Sequence, residues 1–473
     1  MDKFRIEKDT LGQIQVPEDS YIGSFTARAK QNFQISDLTA SKHFIRAIGI
    51  VKLISSQSNA KLGLIDAKLA KAIETAAKEF ISGKFNEEYK LDVFQAGAGT
   101  PFNMNANEII ANRANELLGG KKGEYQFVHP NNHVNMSQSS NDIIPVALCI
   151  AILFGAKPML KSLSECEKAL RAKSKQFRNV LKVGRTHLQD AVPITLGQEF
   201  GAYADAIKRD IDSLVYSLKS MKYLGIGGTA IGTGINTDPR FKKTFIKLIE
   251  SYTKIKFKNE RNTIESNQNI SKFVYFSSVL KTLSYNLLRI ANDLKLLNMG
   301  PLAGISEISL PEVEPGSSIM PGKINASIVE CLQMICLQII GNDQAVSVAS
   351  QLGQLELNTT TPLVAFDILW SLSLMQNGLD MFTNSCVKGI NANETRCRKN
   401  FERSLCTATA LNPYLGYQKT AEIVKKALRT GKKIKYIILD EKILTKKQFD
   451  SIMRIQHVTK PYNIKNMLKG LKR

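Results

Sequence analysis

The chain is expected to be mainly α-helical, with three successive domains and a central bundle of long helices. Three observations carry this. Long segments repeat apolar residues at helical spacing with few Gly or Pro. Strand-like pieces are few and short, Tyr125-Gln126-Phe127-Val128 being one. Breaker-rich stretches at His129 to Asp142 and at Gly389-Ile390-Asn391 divide the chain into residues 1–138, 139–390 and 391–473.

The helical segments follow in order. Leu, Ala and Lys recur at helical spacing from Ala156 to Phe177, and the pattern returns over Leu196 to Tyr223. It holds again over Arg240 to Asn298, Ala326 to Gln351 and Pro362 to Cys386, and such lengths suit a bundle. The last part carries its own turn, Leu411-Asn412-Pro413-Tyr414-Leu415-Gly416, and then shorter helices.

Composition narrows the function. A chain of 473 residues with 43% hydrophobic and 22% charged residues is an ordinary globular protein with room for a large core. The apolar run Ile143 to Ala156 is too short to span a bilayer, and Met1-Asp2-Lys3-Phe4-Arg5 lacks a secretory pattern, so no membrane role and a cytoplasmic location are expected. Seven scattered cysteines without a C-x-x-C pair read as reduced core thiols. The formal charge of +22 is mostly Lys, concentrated at Lys425-Lys426, Lys432 to Lys435 and the tail Lys465 to Arg473. It is not interleaved with stacking aromatics, so a solvated basic face is expected and nucleic-acid binding is not. Such a surface can steer dicarboxylates inward.

Four polar clusters carry the chemistry. Gly97-Ala98-Gly99-Thr100 opens a run with Asn103, Asn105 and Asn107, more amides than helix capping needs. His129 to Asp142 ends in Ser139-Ser140-Asn141-Asp142 before a helical pattern, so its free N–H groups and positive dipole end favour a carboxylate. Gly184-Arg185-Thr186-His187-Leu188-Gln189-Asp190 sets a hydroxyl and an imidazole on a polar turn. Gly316-Ser317-Ser318-Ile319-Met320-Pro321-Gly322-Lys323-Ile324-Asn325 reads as a hinged loop, mobile over 315–328, that can close on an anion. The Gly-rich stretch Gly225 to Gly234 lacks dinucleotide spacing and reads as a turn or a close-packing device. No metal triad, H-E-x-x-H pair or nucleophile elbow appears, so neither metal nor cofactor is expected.

Together these motifs resemble the aspartase/fumarase superfamily, from Tyr21-Ile22-Gly23 to about Met453. G-S-S-x-M-P-x-K-x-N is its signature, supported by G-R-T-H-L-Q-D-A-x-P and S-Q-S-S-N-D. The resemblance implies a homotetramer with a twenty-helix core and active sites shared by three subunits. Gln95-Ala96-Gly97-Ala98-Gly99-Thr100, His133 and Gly353-Gln354-Leu355 look like the aspartase branch, whereas Ser140 is a fumarase-like choice. The implied reaction is reversible removal of ammonia from L-aspartate to give fumarate; hydration of fumarate is the alternative. A lyase of larger succinyl adducts fits the loop less well, and a polyanion-binding protein with a retired site fits the intact polar positions less well.

By the same resemblance, Thr100, Ser139, Ser140 and Ser318 would hold the β-carboxylate. Thr186, Lys323 and Asn325 would grip the α-carboxylate, with Asn141 and His187 near the amino or carboxylate groups. Ser317 would be the general base and His187, paired with Glu330, its rival, since imidazole has the better matched pKa. Two positions depart from the family pattern: Met136 stands for a usual Lys and Ala326 for a usual Pro.

Overall fold

The computed structural model describes residues 3–465, so the basic tail beyond Lys465 lies outside the described residues. Helices dominate, as the periodicity requires. An N-terminal hairpin of β1 (Phe4–Asp9) and β2 (Gly12–Pro17) leads into α1 (Ser24–Asn32), α2 (Lys42–Lys61), α3 (Ala67–Ile81) and α4 (Thr100–Leu117). The long helices are α5 (Ser140–Gln176), α6 (Leu196–Ser217), α9 (Ser271–Asn298), α10 (Ser327–Ala349) and α11 (Thr361–Ser385). Between α5 and α6 lies a hairpin of β3 (Leu181–Thr186) and β4 (Gln189–Thr195). The shorter α7 (Phe241–Thr253) and α8 (Thr263–Gln268) precede α9, and α12 (Glu394–Arg403) opens a run of short helices reaching Val458.

The chain forms two compact units. One holds Met1–Lys161, Asp210–Ser284 and Ile335–Gln376; the other holds Ser162–Arg209, Tyr285–Met334 and Asn377–Arg473. Each of the five long helices contributes residues to both.

In the first unit, α2 packs on α3, and α4 packs on α1 and α3. An aromatic cluster of Phe44, Phe80, Tyr89 and Phe102 fills this junction, with ring centroids 5.4–5.8 Å apart. The buried Tyr89 hydroxyl donates to the Phe102 carbonyl at 2.7 Å, which fixes the first turn of α4 where Thr100 stands. By length and composition α5 could cross a membrane, but 67% of its apolar window is buried inside the protein. All seven cysteines are unpaired; six are buried and Cys331 is half-buried.

Two local expectations fail. Tyr125 to Val128 is not a strand: Tyr125 has φ 49°, and the Phe127 and Val128 N–H groups donate to the Asn115 side chain. The segment Arg240 to Asn298 is three helices, not one. Lys254 ends α7 in the left-handed region, and the Asn262 side chain caps α8.

Candidate functional site

Residues expected from the first two clusters meet in one cavity of about 670 Å³ in the first unit, lined by Thr100, Ser139, Ser140 and Asn141 among others. Its floor is made of helix beginnings. Thr100 opens α4 and Ser140 opens α5, so two positive dipole ends face the same space. At the start of α5, the Ser139 Oγ accepts from the Asn141 N–H at 3.3 Å. The Ser140 Oγ accepts from Asn103 Nδ2 at 3.1 Å. Each hydroxyl uses its oxygen as an acceptor, leaving its proton to donate to a ligand.

The Gly-rich stretch proves to be part of this site. Gly227 and Thr229 N–H groups both donate to Asp142 Oδ2 at 3.0 Å, and Asn141 Nδ2 donates to the Ala230 carbonyl at 2.6 Å. A Cβ on Gly232 would lie 2.4 Å from the Ile264 backbone, so only glycine lets the loop close down. Thr229, Ala230 and Asn236 line the cavity. The two aligned N–H donors, invisible in one dimension, tie the loop to α5.

Sequence reasoning also missed Lys52. It is fully buried on α2, and its ammonium donates to Asn103 Oδ1 at 2.6 Å, Gln138 Oε1 at 2.9 Å and Asn135 Oδ1 at 3.1 Å. Burial pushes its pKa down to about 7, with Asp142 pulling the other way. Burial likewise pushes Asp142 up to about 6 against the N–H groups and the cation that favour its carboxylate. Met136 lines the same cavity but brings no charge.

Thr186 and His187 lie in the second unit, exposed at the tip of the β3–β4 hairpin. His187 and Leu188 have φ 54° and 59°, the backbone of a two-residue turn that usually selects Asn-Gly. Holding two side-chain-bearing residues there costs roughly 1–2 kcal/mol each. Such strain collects at functional sites. Beneath the tip, a bulge between Val183 and Arg185 aims Arg185 at Glu307. The two bond bidentately at 2.8 and 3.0 Å, and Lys182 reaches the same carboxylate at 3.2 Å. Glu307 is completely buried.

The fourth cluster is a self-closed loop, also in the second unit. The Gly316 N–H donates to the Lys323 carbonyl and Asn325 Nδ2 to the Gly316 carbonyl, each at 2.8 Å. Within this neck, Ser317 Oγ accepts from the Ile319 and Met320 N–H groups at 3.2 and 3.1 Å. Two N–H donors on one hydroxyl oxygen favour its anionic form. A cavity of about 430 Å³ is lined by Ser317 and Lys323; Ser318 and Lys323 are exposed. Among the described residues, no hydrogen bond or ion pair joins His187 to Ser317, Lys323 or Glu330. Glu330 pairs instead with Lys295 at 3.2 Å. Thr100, Ser139, Ser140 and Asn141 thus share one cavity of the first unit, while Thr186, His187 and the Ser317 loop belong to the second.

A helical subunit carrying hydroxyl, amide, imidazole and ammonium groups of this kind is matched by known lyases. A family model described as Lyase matches residues 12–341, and one described as Fumarase C C-terminus matches residues 408–460. The chain belongs to this lyase family, the aspartase/fumarase superfamily. Aspartate ammonia-lyase of Bacillus subtilis is 42% identical over 97% of both chains. Class II fumarate hydratase 2 of Bradyrhizobium diazoefficiens is 44% identical, again over 97% of both. The class II fumarase structure from Schistosoma mansoni superimposes with a TM-score of 0.94 at 35% identity, over 98% of this chain and 100% of that one.

Proposed function

We propose that the protein is an aspartate ammonia-lyase, converting L-aspartate reversibly to fumarate and ammonia. The observation that carries this reading is the cavity where Thr100, Ser139 and Ser140 present hydroxyls at two helix N-termini, a setting that favours carboxylate. Overall identity does not separate ammonia from water as the leaving group, since aspartase and fumarase relatives lie at 42% and 44%. The aspartase-like turn Gln95 to Thr100, His133 and Gly353-Gln354-Leu355 favour ammonia. The test is fumarate formation from L-aspartate against L-malate in one preparation.

The difficult step is removing a weakly acidic Cβ proton beside a carboxylate. The electron pair left behind spreads into that carboxylate as an enediolate, then expels ammonia as the Cα–N bond breaks. Thr100, Ser139, Ser140 and Ser318 hold the β-carboxylate and stabilise its second charge. Thr186, Lys323 and Asn325 hold the α-carboxylate, and Asn141 and His187 meet the amino or carboxylate groups. Ser317 takes the proton as an alkoxide; its two backbone N–H donors and the charge of Lys323 support that role.

The same reading requires a homotetramer in which three subunits complete each site: one gives the cavity, another the His187 hairpin and a third the Ser317 loop. Exposed Tyr216, Tyr285, Met334 and Leu337 on the long helices supply apolar surface for that assembly. Light scattering should give a mass four times 52.5 kDa. The three sequential domains (1–138, 139–390, 391–473) and a cytoplasmic location belong to this proposal.

A further inference from the structure

Lys52 is an unusual residue. An ammonium ion is rarely buried completely without a carboxylate, because its desolvation is costly unless compensated. Here its three contacts are neutral carboxamide oxygens. Asn103, Asn135 and Gln138, which supply them, all line the cavity that holds Ser139 and Ser140. The cation is therefore one side chain removed from the space, with no water-exposed path of its own.

The connection has direction. Lys52 donates to Asn103 Oδ1 at 2.6 Å, which fixes the flip of that amide. Asn103 Nδ2 must then donate, and it does so to Ser140 Oγ at 3.1 Å. With its oxygen occupied, Ser140 can turn its proton toward the cavity. A Lys that only tied α2 to the neighbouring turn would not need to act on the amide that orients the Ser140 hydroxyl.

We infer that Lys52 is a positioning residue and the buried counter-cation of the carboxylate bound in this cavity, acting through Asn103 on Ser140. The inference rests on the dicarboxylate reading above and deepens it. It also fits the uncharged Met136 in the same wall: the positive charge of this cavity comes from underneath. Asp142 at the start of α5 is the charged group that acts on Lys52, while α4 and the turn before α5 present amides to it. Without a ligand, burial makes the ammonium easy to deprotonate near pH 7. A bound carboxylate reverses that preference, so binding takes up a proton above that pH.

The test is calorimetric binding of succinate, an unreactive dicarboxylate, to the intact protein at pH 8 in phosphate and in Tris. The difference in heat between buffers counts protons. Wild type should take up about half a proton or more at pH 8 and markedly less at pH 6. Lys52→Met should lose that uptake and weaken binding on the order of tenfold to a hundredfold at pH 6, the effect of one charge about 8 Å away at an effective dielectric of about 20, and only roughly two- to tenfold at pH 8, where the free ammonium is largely deprotonated. Lys52→Arg, charged at every pH, should bind succinate without uptake. Uptake of the same size in Lys52→Met, or none in wild type that binds succinate, overturns the inference. The wild-type measurement decides this even if a variant does not fold. A wild type that binds no succinate at any pH refutes the carboxylate reading of the cavity, and the role of Lys52 falls with it.

Discussion

Replacing Glu307 by Gln tests how the His187 hairpin is held. The carboxylate is completely buried and receives Arg185 at 2.8 and 3.0 Å, Lys182 at 3.2 Å and Asn400 at 3.1 Å. At an effective dielectric of about 20, each cation near 3 Å gains roughly 5 kcal/mol of Coulomb energy, most of it offset by desolvation. Removing one partner leaves Arg185 and Lys182 without their shared counter-charge, so the cost is about 3–5 kcal/mol. The Tm should fall by roughly 3–5 °C at fixed protein concentration. Because Arg185 adjoins Thr186, kcat/KM should fall more than the folded fraction does. Burial raises the Glu307 pKa, but Arg185, Lys182 and Asn400 outweigh it and hold the group below its ordinary 4.5. A depressed carboxylate contributes stability that is present above the unfolded pKa and lost as pH falls through the folded one. The wild-type advantage should therefore shrink below about pH 4.5. A Glu307→Gln protein melting within 1 °C of wild type at neutral pH, about the resolution of the assay, would refute the reasoning.

Other variants probe the remaining elements. Ser317→Ala should lower kcat for deamination by roughly 10²–10⁴ with little change in KM; near-normal turnover together with an inactive His187→Ala would move the base to His187. In Gly316→Ala the new Cβ would lie 2.7 Å from the Asn325 nitrogen and the Lys323 oxygen, so the loop neck must open. Turnover should drop at least about tenfold while Tm, set by the core, changes little. Leu188→Gly relieves a left-handed residue and should stabilise the protein by about 1 kcal/mol in denaturant titration, while loosening the His187 tip and lowering kcat. Ala326 precedes α10 and its carbonyl accepts the Glu330 N–H at 3.0 Å. Ala326→Pro should stiffen this trailing end of the loop and raise kcat; unchanged kinetics would rule out an anchoring role.

Much of the fold was legible because the long helices keep their periodicity to the ends. The segment Ala326 to Gln351 became Ser327–Ala349, and Pro362 to Cys386 became Thr361–Ser385. Arg240 to Asn298 misled because apolar spacing runs on across Lys254, whose left-handed backbone no composition announces. The β3–β4 hairpin stayed hidden because its turn is His187-Leu188, without the Asn-Gly that marks such a turn. Hydroxyls at helix starts were readable, since capping residues precede an apolar pattern. The Gly225 to Gly234 loop and Lys52 were not. Both act on the cavity through contacts to residues far away in sequence: the loop through Asp142, and a lone Lys in an apolar helix through Asn103.

The most direct test measures absorbance of fumarate formed by one purified preparation from L-aspartate and, separately, from L-malate. An ammonia-lyase built on this cavity and loop should form fumarate from L-aspartate, lose that activity in Ser317→Ala, and leave L-malate essentially unconverted. Rapid conversion of L-malate with none of L-aspartate would make the protein a fumarase instead.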